Sequence, residues 1–436
     1  MTNDIQAAPH SAARRRILRG GGALAALAAA GCASIDTNPP PGGRVVVIGG
    51  GYGGATFANH MRQFAPEIEV VMVERSGAFV SCPLSNRVLA GTMQISEITR
   101  SYETLRNARG VKVLRDEALA IDPDKRVVML ARGGALRYDR VVVSPGIDFS
   151  WNEIPQMAKN PAEAIERVPH AWHAGAQTLL LRRQLEAMPD GGVFAMHIPL
   201  APYRCPPGPY ERASQVAHYL WNHKRKSKIV ILDSNEAITS KPALFAAAWK
   251  QYYPGMIDYR PNSRLLDVDV AGRVARLEFD DVKADVLNVI PPQKAAAIAE
   301  RTGLITANAR WCEVDFLTYE SVKVKGVHVL GDSILAAPAM PKSGHMANQH
   351  AKVCASAVID LMRGRAPFAA PMLINTCYSF LTELDTIRVS SVHRYDAAKR
   401  TMLTVPGSGG LSAAPSALEG AYALQWAQNI WANMLG

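Results

Sequence analysis

The sequence predicts an α/β protein with parallel sheets. Apolar strands alternate with amphipathic helical stretches along most of the chain, a pattern typical of strand–helix–strand crossovers. The stretch RVVVIGGGYGGATFANHM (44–61) is a buried strand, a glycine turn and a helix. A second strand at 191–200 precedes a loop, a helix from about 211 and another strand at 227–235. The chain therefore contains two strand–loop–helix units of the dinucleotide-binding kind.

The composition is ordinary for a globular protein. The chain has 436 residues, of which 48% are hydrophobic and 20% are charged, enough for two or three domains with a large core. The formal net charge of +10 favours an acidic partner, an anionic substrate or lipid headgroups. The basic run HKRKSK at 223–228 is short and typical of a solvated helix end, so we expect no nucleic-acid partner.

Residues 1–40 are predicted to be an export signal and a linker. Arg14 and Arg15 precede an alanine-rich stretch that is shorter than the roughly 20 apolar residues of a membrane span. The arginine pair resembles a twin-arginine signal, with an ordinary secretory signal as the alternative. Cys32 is a weaker candidate for lipidation, because the expected leucine three residues earlier is Ala29. We expect a periplasmic protein, in a compartment where disulfides persist.

The remaining elements follow from apolar runs and their periodicity. Val70–Val73 is a strand that ends at Glu74, and residues from about 152 to 190 are predicted to be helical. Further strands are expected at 126–130, 140–146 and 326–334, and further helices from about 343 to 363 and over the amphipathic C-terminal end.

Gly49, Gly51 and Gly54 have the G-x-G-x-x-G spacing of a dinucleotide-binding turn, directly after a strand and at the start of a helix. Glycines let the backbone approach a pyrophosphate, whose charge the helix N-terminus favours. Glu74 lies 20 residues beyond Gly54 at a strand end, where an acid binds the adenosine ribose. With strand, helix and acid in register, we predict a dinucleotide site rather than an incidental turn.

Two further stretches favour FAD as the dinucleotide. GVHVLGD, which ends at Asp332, resembles the segment of two-dinucleotide-domain flavoproteins whose aspartate contacts the ribityl–pyrophosphate region of FAD. VVVSPGID at 141–148 resembles the middle FAD segment of the same proteins. Each could be a plain turn, but their order and spacing favour FAD.

The loop of the second strand–loop–helix unit has no glycine turn. It reads YRCPPGPYE from Tyr203 to Glu211, and its prolines lack the N–H groups that bind phosphate. We therefore predict a domain that is built like an NAD domain but does not bind NAD(P)H. Cys205 stands ahead of a helix, whose dipole is expected to lower the pKa of the thiol.

Five cysteines follow the leader: Cys82, Cys205, Cys312, Cys354 and Cys377. None forms a C-x-x-C or C-x-x-C-H motif, so we predict no metal site and no attached c-type haem. Cys354 lies on an apolar helix face, and Cys312 is expected to be buried. The other three have loop-like settings, and their odd number suggests one disulfide and one cysteine that is used differently.

A specific resemblance rests on five stretches: SCPLSN around Cys82, RCPPGPYERASQVAHYL around Cys205, IPPQKA at 290–295, APAMPKSG at 337–344 and NTCYS around Cys377. In this order they resemble the flavoprotein subunit of flavocytochrome c sulfide dehydrogenase. The similarity covers essentially the whole chain after the leader.

The resemblance implies a role for each of the three cysteines. Cys82 would carry FAD through a thioether to the flavin 8α-methyl group, and Cys205 and Cys377 would form a redox disulfide beside the flavin ring. Sulfide would attack this disulfide, and electrons would pass through FAD to a c-type cytochrome subunit or a soluble cytochrome c. Glu211 is a candidate for proton transfer or a helix N-terminal acid. Lys342 is a candidate for stabilising charge on reduced flavin, or a solvated lysine.

The resemblance also implies a glutathione-reductase-like fold with two Rossmann-type dinucleotide-binding domains and a C-terminal interface domain. The expected FAD-binding domain is discontinuous, at 41–152 and 296–368. Residues 153–295 form the NAD-domain-like part without a nucleotide loop, and residues 369–436 form the interface domain.

Three other functions compete with this interpretation. A sulfide:quinone oxidoreductase would use similar cysteine–flavin chemistry at a membrane, and LQWAQNIWANML near the C-terminus is a candidate membrane-facing segment, although an interface helix is the simpler account. An NAD(P)H-dependent reductase is disfavoured by the absent second glycine loop. A non-catalytic binding protein would have no need for Cys205 and Cys377.

Overall fold

The computed structural model describes residues 38–436. The predicted export signal, with Arg14, Arg15 and Cys32, lies outside the described residues. The strands are β1 (Arg44–Ile48), β2 (Glu69–Val73), β3 (Phe79–Val80), β4 (Thr99–Arg100), β5 (Lys112–Leu114), β6 (Ala118–Asp122), β7 (Val127–Leu130), β8 (Ala135–Arg137), β9 (Arg140–Val143), β10 (Ile147–Phe149), β11 (Val193–Ile198), β12 (Lys228–Asp233), β13 (Ile257–Arg260), β14 (Leu265–Asp269), β15 (Val274–Leu277), β16 (Asp281–Lys283), β17 (Val286–Val289), β18 (Gln293–Ala295), β19 (Val327–Val329), β20 (Met372–Phe380), β21 (Thr386–Asp396), β22 (Thr401–Thr404) and β23 (Gly410–Leu411). The helices are α1 (Tyr52–Phe64), α2 (Ser85–Ala90), α3 (Glu103–Asn107), α4 (Pro155–Lys159), α5 (Pro161–Arg167), α6 (Ala176–Ala187), α7 (Gly208–His223), α8 (Pro242–Tyr252), α9 (Ala297–Arg301), α10 (Gly344–Met362) and α11 (Ala417–Leu435).

The first sheet is parallel and has the strand order β19-β9-β1-β2-β5. Its central strand β1 is buried along its whole length, which explains the unbroken apolar run RVVVI, because strands covered on both faces lose the polar alternation. Helices α1 and α10 pack against each other. Because β9 pairs with β19, the predicted strands at 140–146 and 326–334 are neighbours in the sheet, although about 185 residues separate them.

The predicted strand at 126–130 does not join this sheet. It is β7, the middle strand of an antiparallel three-stranded sheet with β6 and β8. The connections to β6 and β8 are only a few residues long, too short for the crossover that a parallel neighbour requires.

The predicted helical region at 152–190 is broken into several pieces. A 3-10 turn at Trp151–Glu153 precedes α4 and α5, and α6 begins only at Ala176. Pro155 and Pro161 each open a new helix, because proline is tolerated in the first turn but not in a helix interior. The two prolines therefore mark the helix breaks, which the apolar periodicity alone did not indicate.

The second strand–loop–helix unit has the predicted form. Its parallel sheet has the order β13-β12-β11-β17, and α7 connects β11 to β12. The chain passes between the first sheet and this region through two connecting segments, which contain β10 and β18. These two strands pair antiparallel, so the connecting segments lie side by side.

The C-terminal segment is an antiparallel sheet, β20-β21-β22 with β23 on β21, and helix α11. It is tied to the middle segment by hydrogen bonds to backbone carbonyls. Gln215 Nε2 donates to the carbonyls of Phe380 and Thr382 at 3.2 and 2.9 Å. The hydroxyl of Tyr253 donates to the Leu381 carbonyl at 2.6 Å. Among helices of residues 38–436, none has the length and apolarity needed to cross a membrane.

Candidate active site

One large cavity lies where the first sheet, α7 and β20 meet. Its volume is about 520 Å³, within the usual range of small-molecule and cofactor sites. Most of the predicted site residues line it: Gly49, Gly51, Glu74, Cys82, Cys205, Glu211, Asp332 and Cys377. Residues far apart in the sequence therefore meet around one space, as a single active site requires.

The glycine turn forms one end of the cavity. Gly49 has φ +97°, and a Cβ there would lie 2.3 Å from the Ser144 carbonyl oxygen. A Cβ at Gly54 would lie 1.8 Å from the Gly49 carbonyl oxygen, so this glycine permits close packing of α1 and does not line the cavity. A Cβ at Gly51 would meet no atom within 4 Å. Gly51 therefore leaves open the space in front of the helix N-terminus.

Two acidic residues lie at strand ends beside this turn. Glu74 Oε2 accepts a hydrogen bond from Gly50 N at 2.7 Å, and Oε1 accepts one from Ser76 N at 2.7 Å. Asp332 lies three residues after the end of β19, in a short 3-10 turn. Its Oδ1 is buried without a hydrogen-bond partner within the described part of the chain. Burial raises the pKa of Asp332, against the opposing charges of Arg204 and Lys342.

Three partly buried cysteines face this space. Cys82 precedes α2, Cys205 lies in the proline-rich loop before α7, and Cys377 lies within β20. All three are free thiols in the structure, whereas Cys312 and Cys354 are buried in the core as predicted. The thiols of Cys205 and Cys377 lie close enough for the charge of Cys377 to raise the pKa of Cys205.

The prediction that the helix dipole lowers the pKa of Cys205 was wrong. Helix α7 begins three residues later, at Gly208, and Cys205 has a left-handed backbone with φ +59°. Burial raises the pKa of the Cys205 thiol, and the charges of Cys377 and Glu211 raise it further. Desolvation by surrounding protein therefore outweighs any dipole effect at this position.

Glu211 is buried in the first turn of α7. Its Oε1 accepts a hydrogen bond from Phe380 N at 3.0 Å, and its Oε2 accepts one from Asn86 Nδ2 at 3.0 Å. Burial raises the pKa of Glu211, although these hydrogen bonds and the charges of Lys241 and Arg87 oppose the shift. A buried carboxyl with a raised pKa suits proton transfer near neutral pH.

Lys342 does not reach the cavity. Its ammonium group donates hydrogen bonds to the carbonyls of Asp332, at 2.9 Å, and Ile334, and it lies 3.7 Å from the centre of the Trp311 ring. Burial lowers the pKa of Lys342 to about 8. The structure therefore places this cation behind the wall formed by Asp332.

The sequence analysis missed two buried cations around the cysteines. The Arg212 guanidinium is 2% exposed and donates to Asn86 Oδ1, Asn288 Oδ1 and backbone carbonyls. Lys241, which is 3% exposed, donates to the Cys377 carbonyl. Neither residue lies in a motif, and the burial of α7 around nearly its whole circumference is visible only in the folded structure.

The residues present fit FAD. Gly51 leaves the helix N-terminus open for a pyrophosphate, and the unpartnered Oδ1 of Asp332 offers an acceptor at the cavity wall. The cavity continues from this end to Cys82, Cys205 and Cys377, where a redox-active ring would meet the thiols. Within residues 38–436, no cluster of three or more His, Cys, Asp or Glu residues is arranged to hold a metal ion.

The parallel sheet has a glycine turn and opens on a cavity with several thiols. These features define a flavin-dependent reductase with the pyridine nucleotide-disulphide oxidoreductase fold. The profile of that family matches residues 43–175. Two further profiles identify the branch. The central region of the sulfide dehydrogenase (flavocytochrome c) flavoprotein chain matches residues 178–291, and the flavocytochrome c sulphide dehydrogenase flavin-binding region matches residues 369–435. The chain belongs to the family of flavocytochrome c sulfide dehydrogenase flavoprotein chains.

Two individual relatives match parts of the chain, and one of them carries the name of this family. The flavoprotein chain of sulfide dehydrogenase (flavocytochrome c) from Chlorobaculum thiosulfatiphilum is 56% identical over 37 residues, which are 8% of this chain and 77% of that sequence. The mitochondrial sulfide:quinone oxidoreductase of Dictyostelium discoideum is 22% identical over 295 residues, 64% of this chain and 63% of that protein. The alignment thus spans less than two thirds of the Dictyostelium enzyme.

Similar solved structures share the fold. The sulfide:quinone oxidoreductase of Aquifex aeolicus superposes with a TM-score of 0.69 at 17% identity, over 90% of this chain and 91% of that chain. At this identity the likeness supports the glutathione-reductase-like fold predicted from the sequence, and the domain boundaries at 152, 295 and 368 stay predictions.

Proposed function

We propose that this protein oxidises sulfide through a Cys205–Cys377 disulfide and FAD, and passes the electrons to a c-type cytochrome. The observation that carries the proposal is the meeting of Cys205, from the loop before α7, and Cys377, from β20, in the cavity that begins at the glycine turn. Two thiols at the far end of a dinucleotide-binding cavity are suited to pass electron pairs to a flavin ring.

The chemistry at the cysteine pair balances with sulfide as the electron donor and bound FAD as the two-electron acceptor. HS⁻ attacks one sulfur of the disulfide, a new S–S bond forms, and the other cysteine leaves as a thiolate. A second HS⁻ takes the outer sulfur of the persulfide as HSS⁻, which leaves both cysteines reduced. When the disulfide re-forms, two electrons leave the pair. Bound FAD accepts electron pairs and releases them singly, which matches a two-electron donor to a one-electron haem acceptor. Glu211, hydrogen-bonded to the strand of Cys377, is positioned to exchange the protons.

The loop before α7 supports sulfide over NAD(P)H as the electron donor. Its backbone N–H groups already have protein partners: Arg204 N donates to Gln293 Oε1 at 2.8 Å, and Cys205 N donates to the Lys342 carbonyl at 2.7 Å. Its prolines have no N–H to offer. This loop therefore has few donors for the phosphates of a second dinucleotide.

The electron donor is tested by an anaerobic titration of the purified holoprotein, following the visible absorbance of the flavin. We expect sulfide to bleach the flavin and NADH to leave it oxidised. Cys377→Ser is expected to abolish bleaching by sulfide while dithionite still reduces the flavin. Bleaching by NADH alone would return the chain to the pyridine-nucleotide reductases.

The electron acceptor is tested in the same sample. Reoxidation by oxidised cytochrome c supports the cytochrome-linked enzyme. Reoxidation by a short-chain quinone alone supports the alternative, a sulfide:quinone oxidoreductase, which is the activity named for the Dictyostelium and Aquifex relatives.

The covalent link through Cys82 is a separate part of the proposal. Cys82 is partly exposed to the cavity, as a residue that bonds to the flavin must be. We expect wild-type flavin to stay with the denatured polypeptide on a gel and to fluoresce there. Cys82→Ser should release it on denaturation, and Cys312→Ser is the matched control. Release from the wild type would leave FAD bound without a covalent bond.

The periplasmic location rests on residues 1–40 alone. Replacing Arg14 and Arg15 together by lysine should retain the protein in the cytoplasm if the twin-arginine route exports it. Unchanged export of that variant, measured by cell fractionation, would favour an ordinary secretory signal.

A further inference from the structure

A buried lysine reaches the strand that carries Cys377. Lys241 precedes α8 with a left-handed backbone, φ +56°, and its side chain is buried. Its ammonium group donates to Ser379 Oγ at 2.7 Å and to the Cys377 carbonyl at 3.1 Å. Throughout residues 38–436, no carboxylate lies within 4.0 Å of this ammonium group. Burying an ammonium without an ion pair is unfavourable, so a compensating negative charge is expected nearby.

Three groups able to supply that charge line the cavity: Cys377, Glu211 and Cys205. Burial lowers the pKa of Lys241 to about 8, and negative charge on Cys377, then on Glu211 and Cys205, raises it. Reciprocally, Lys241 favours the charged form of Cys377. The ammonium therefore lies beside β20, close enough to Cys377 and Cys205 to interact with their charges.

A second donor contacts the Cys377 sulfur directly. Asn375 Nδ2 donates to Cys377 Sγ at 3.4 Å, and when Cys377 is protonated its thiol can donate to Asn375 Oδ1 at 3.7 Å. The orientation of this amide is fixed, because the Ser343 hydroxyl donates to Asn375 Oδ1 at 2.7 Å while accepting from Met346 N at 3.0 Å. The amide N–H is thus held toward the sulfur by the N-terminus of α10.

Cys205 lacks a donor of this kind, because its sulfur accepts no hydrogen bond from the described residues. Burial and the charge of Glu211 raise the pKa of both thiols. At Cys205 the opposing charges are those of Arg204 and Arg212, whereas at Cys377 the Asn375 hydrogen bond acts together with Lys241. The two members of the pair are therefore unequal, and the difference originates in residues outside the pair.

We propose that Lys241, together with Asn375, is a positioning residue that holds the negative charge of the reduced pair on Cys377. This inference rests on the proposed function and adds a direction to its first step. HS⁻ bonds to the Cys205 sulfur, the Cys205–Cys377 bond breaks, and its electron pair leaves on Cys377. Cys205 then carries the persulfide with its proton. The better-stabilised thiolate leaves faster, which selects this direction over the reverse.

Other charged groups near Cys377 leave this assignment intact. Glu211, from α7, and Glu419, from α11, favour the ammonium form of Lys241. Glu419 is paired with Arg388 of β21 at 3.2 Å. His345 of α10 accepts from Thr376 N at 3.0 Å, and burial lowers its pKa to about 4, so it stays neutral in the range of the test.

The test alkylates the reduced holoprotein without sulfide. After reduction by dithiothreitol and its removal, iodoacetamide is added at a series of pH values, and labelling of the peptides with Cys205 and Cys377 is quantified by mass spectrometry. We expect Cys377 to react at least about tenfold faster than Cys205 near pH 8, the ratio that one pKa unit gives. Lys241→Met should move the Cys377 midpoint upward by about one pH unit or more, and Lys241→Arg should retain most of the wild-type profile.

The controls separate charge from structure. Lys250→Met removes an exposed lysine from the same helix and should leave the profile unchanged. If Lys241→Met does not fold, Asn375→Ala gives the second reading and should also raise the Cys377 midpoint. Faster labelling of Cys205, or an unchanged profile in both variants, would overturn the inference. Because sulfide is absent, the asymmetry can hold even where the sulfide titration fails, so the two proposals fail separately.

Discussion

The carboxyl group of Glu211 joins α7 to the strand of Cys377, because its Oε1 accepts a hydrogen bond from the Phe380 backbone nitrogen at 3.0 Å. Burial raises the pKa of Glu211, so the folded protein holds this proton to a higher pH than an exposed glutamate does. The bond also explains why one residue in the first turn of a helix faces a strand more than 160 positions later.

We expect Glu211→Gln to slow sulfide-driven flavin reduction by about 10²-fold, the usual contribution of a positioned acid–base group. Wild-type rates should rise with pH as the carboxyl loses its proton, and the variant should lack that limb. The measurement is stopped-flow reduction of the flavin between pH 5 and 9, chosen around the ordinary carboxyl and imidazole range. Glu278→Gln, at an exposed position, is the matched control. An unchanged pH profile would leave Glu211 as a structural acid.

The free energy of unfolding should also depend on pH in the direction that the raised pKa of Glu211 predicts. Its folded-state pKa lies above the unfolded value, so its favourable contribution is full at low pH and declines as pH rises from the unfolded pKa through the folded one. Glu211→Gln should remove that decline. Urea unfolding at several pH values measures this. As pH rises, the free energy of unfolding of the wild type should fall relative to that of the variant, so the two proteins should differ less at low pH than at high pH.

Two glycines of the turn should separate folding from flavin binding. Gly54→Ala places a Cβ 1.8 Å from the Gly49 carbonyl oxygen, and we expect it to lower the free energy of unfolding by about 3 kcal/mol or more. Gly51→Ala meets nothing within 4 Å and should change the stability of the apoprotein by less than about 0.5 kcal/mol. It should nevertheless weaken FAD binding by at least about tenfold, or 1.4 kcal/mol. Both are measured in a Cys82→Ser background, so that a covalent bond cannot mask the affinity, and equal FAD affinity in Gly51→Ala would contradict a pyrophosphate at this turn.

Asp332 should contribute to FAD affinity through its unpartnered oxygen. We expect Asp332→Ala to weaken FAD binding by about 1–3 kcal/mol, the value of a buried hydrogen bond to a charged group. Fluorescence titration of the apoprotein with FAD in the Cys82→Ser background measures this. Asp281→Ala, at an exposed position, is the control. Unaltered affinity would mean that Oδ1 of Asp332 finds its partner elsewhere.

Lys342 should act on stability more than on the flavin. Its ammonium group satisfies the carbonyls of Asp332 and Ile334, and Lys342→Met should lower the free energy of unfolding by about 1–3 kcal/mol. The flavin midpoint potential should change little, since the cation lies behind the cavity wall. Spectroelectrochemistry decides this, and a clearly lower potential in the variant would restore the role that the sequence predicted, charge stabilisation on reduced flavin.

Local features of the site were predictable from sequence, and features made by packing were not. The turn of Gly49 and Gly51 is only a few residues long, so its spacing specifies it, whereas Gly54 was predicted to bind the cofactor and instead permits helix packing. The pKa of Cys205 depends on burial by segments more than 100 residues away, so the local helix-dipole argument gave the wrong sign. Lys241 and Asn375 have no motif, and only the pairing of distant segments brings them to Cys377. The broken helix at 152–190 is intermediate, because Pro155 and Pro161 marked the breaks.

The middle segment and the C-terminal segment are joined without sulfur. The amide of Gln215 and the hydroxyl of Tyr253 hold the carbonyls of Phe380, Leu381 and Thr382. In the proposed mechanism, a disulfide that opens in every catalytic cycle would therefore not be needed as a clamp. These contacts would keep the two segments together while the cysteines are reduced, so closing the disulfide again would be a local event that requires no refolding of the interface.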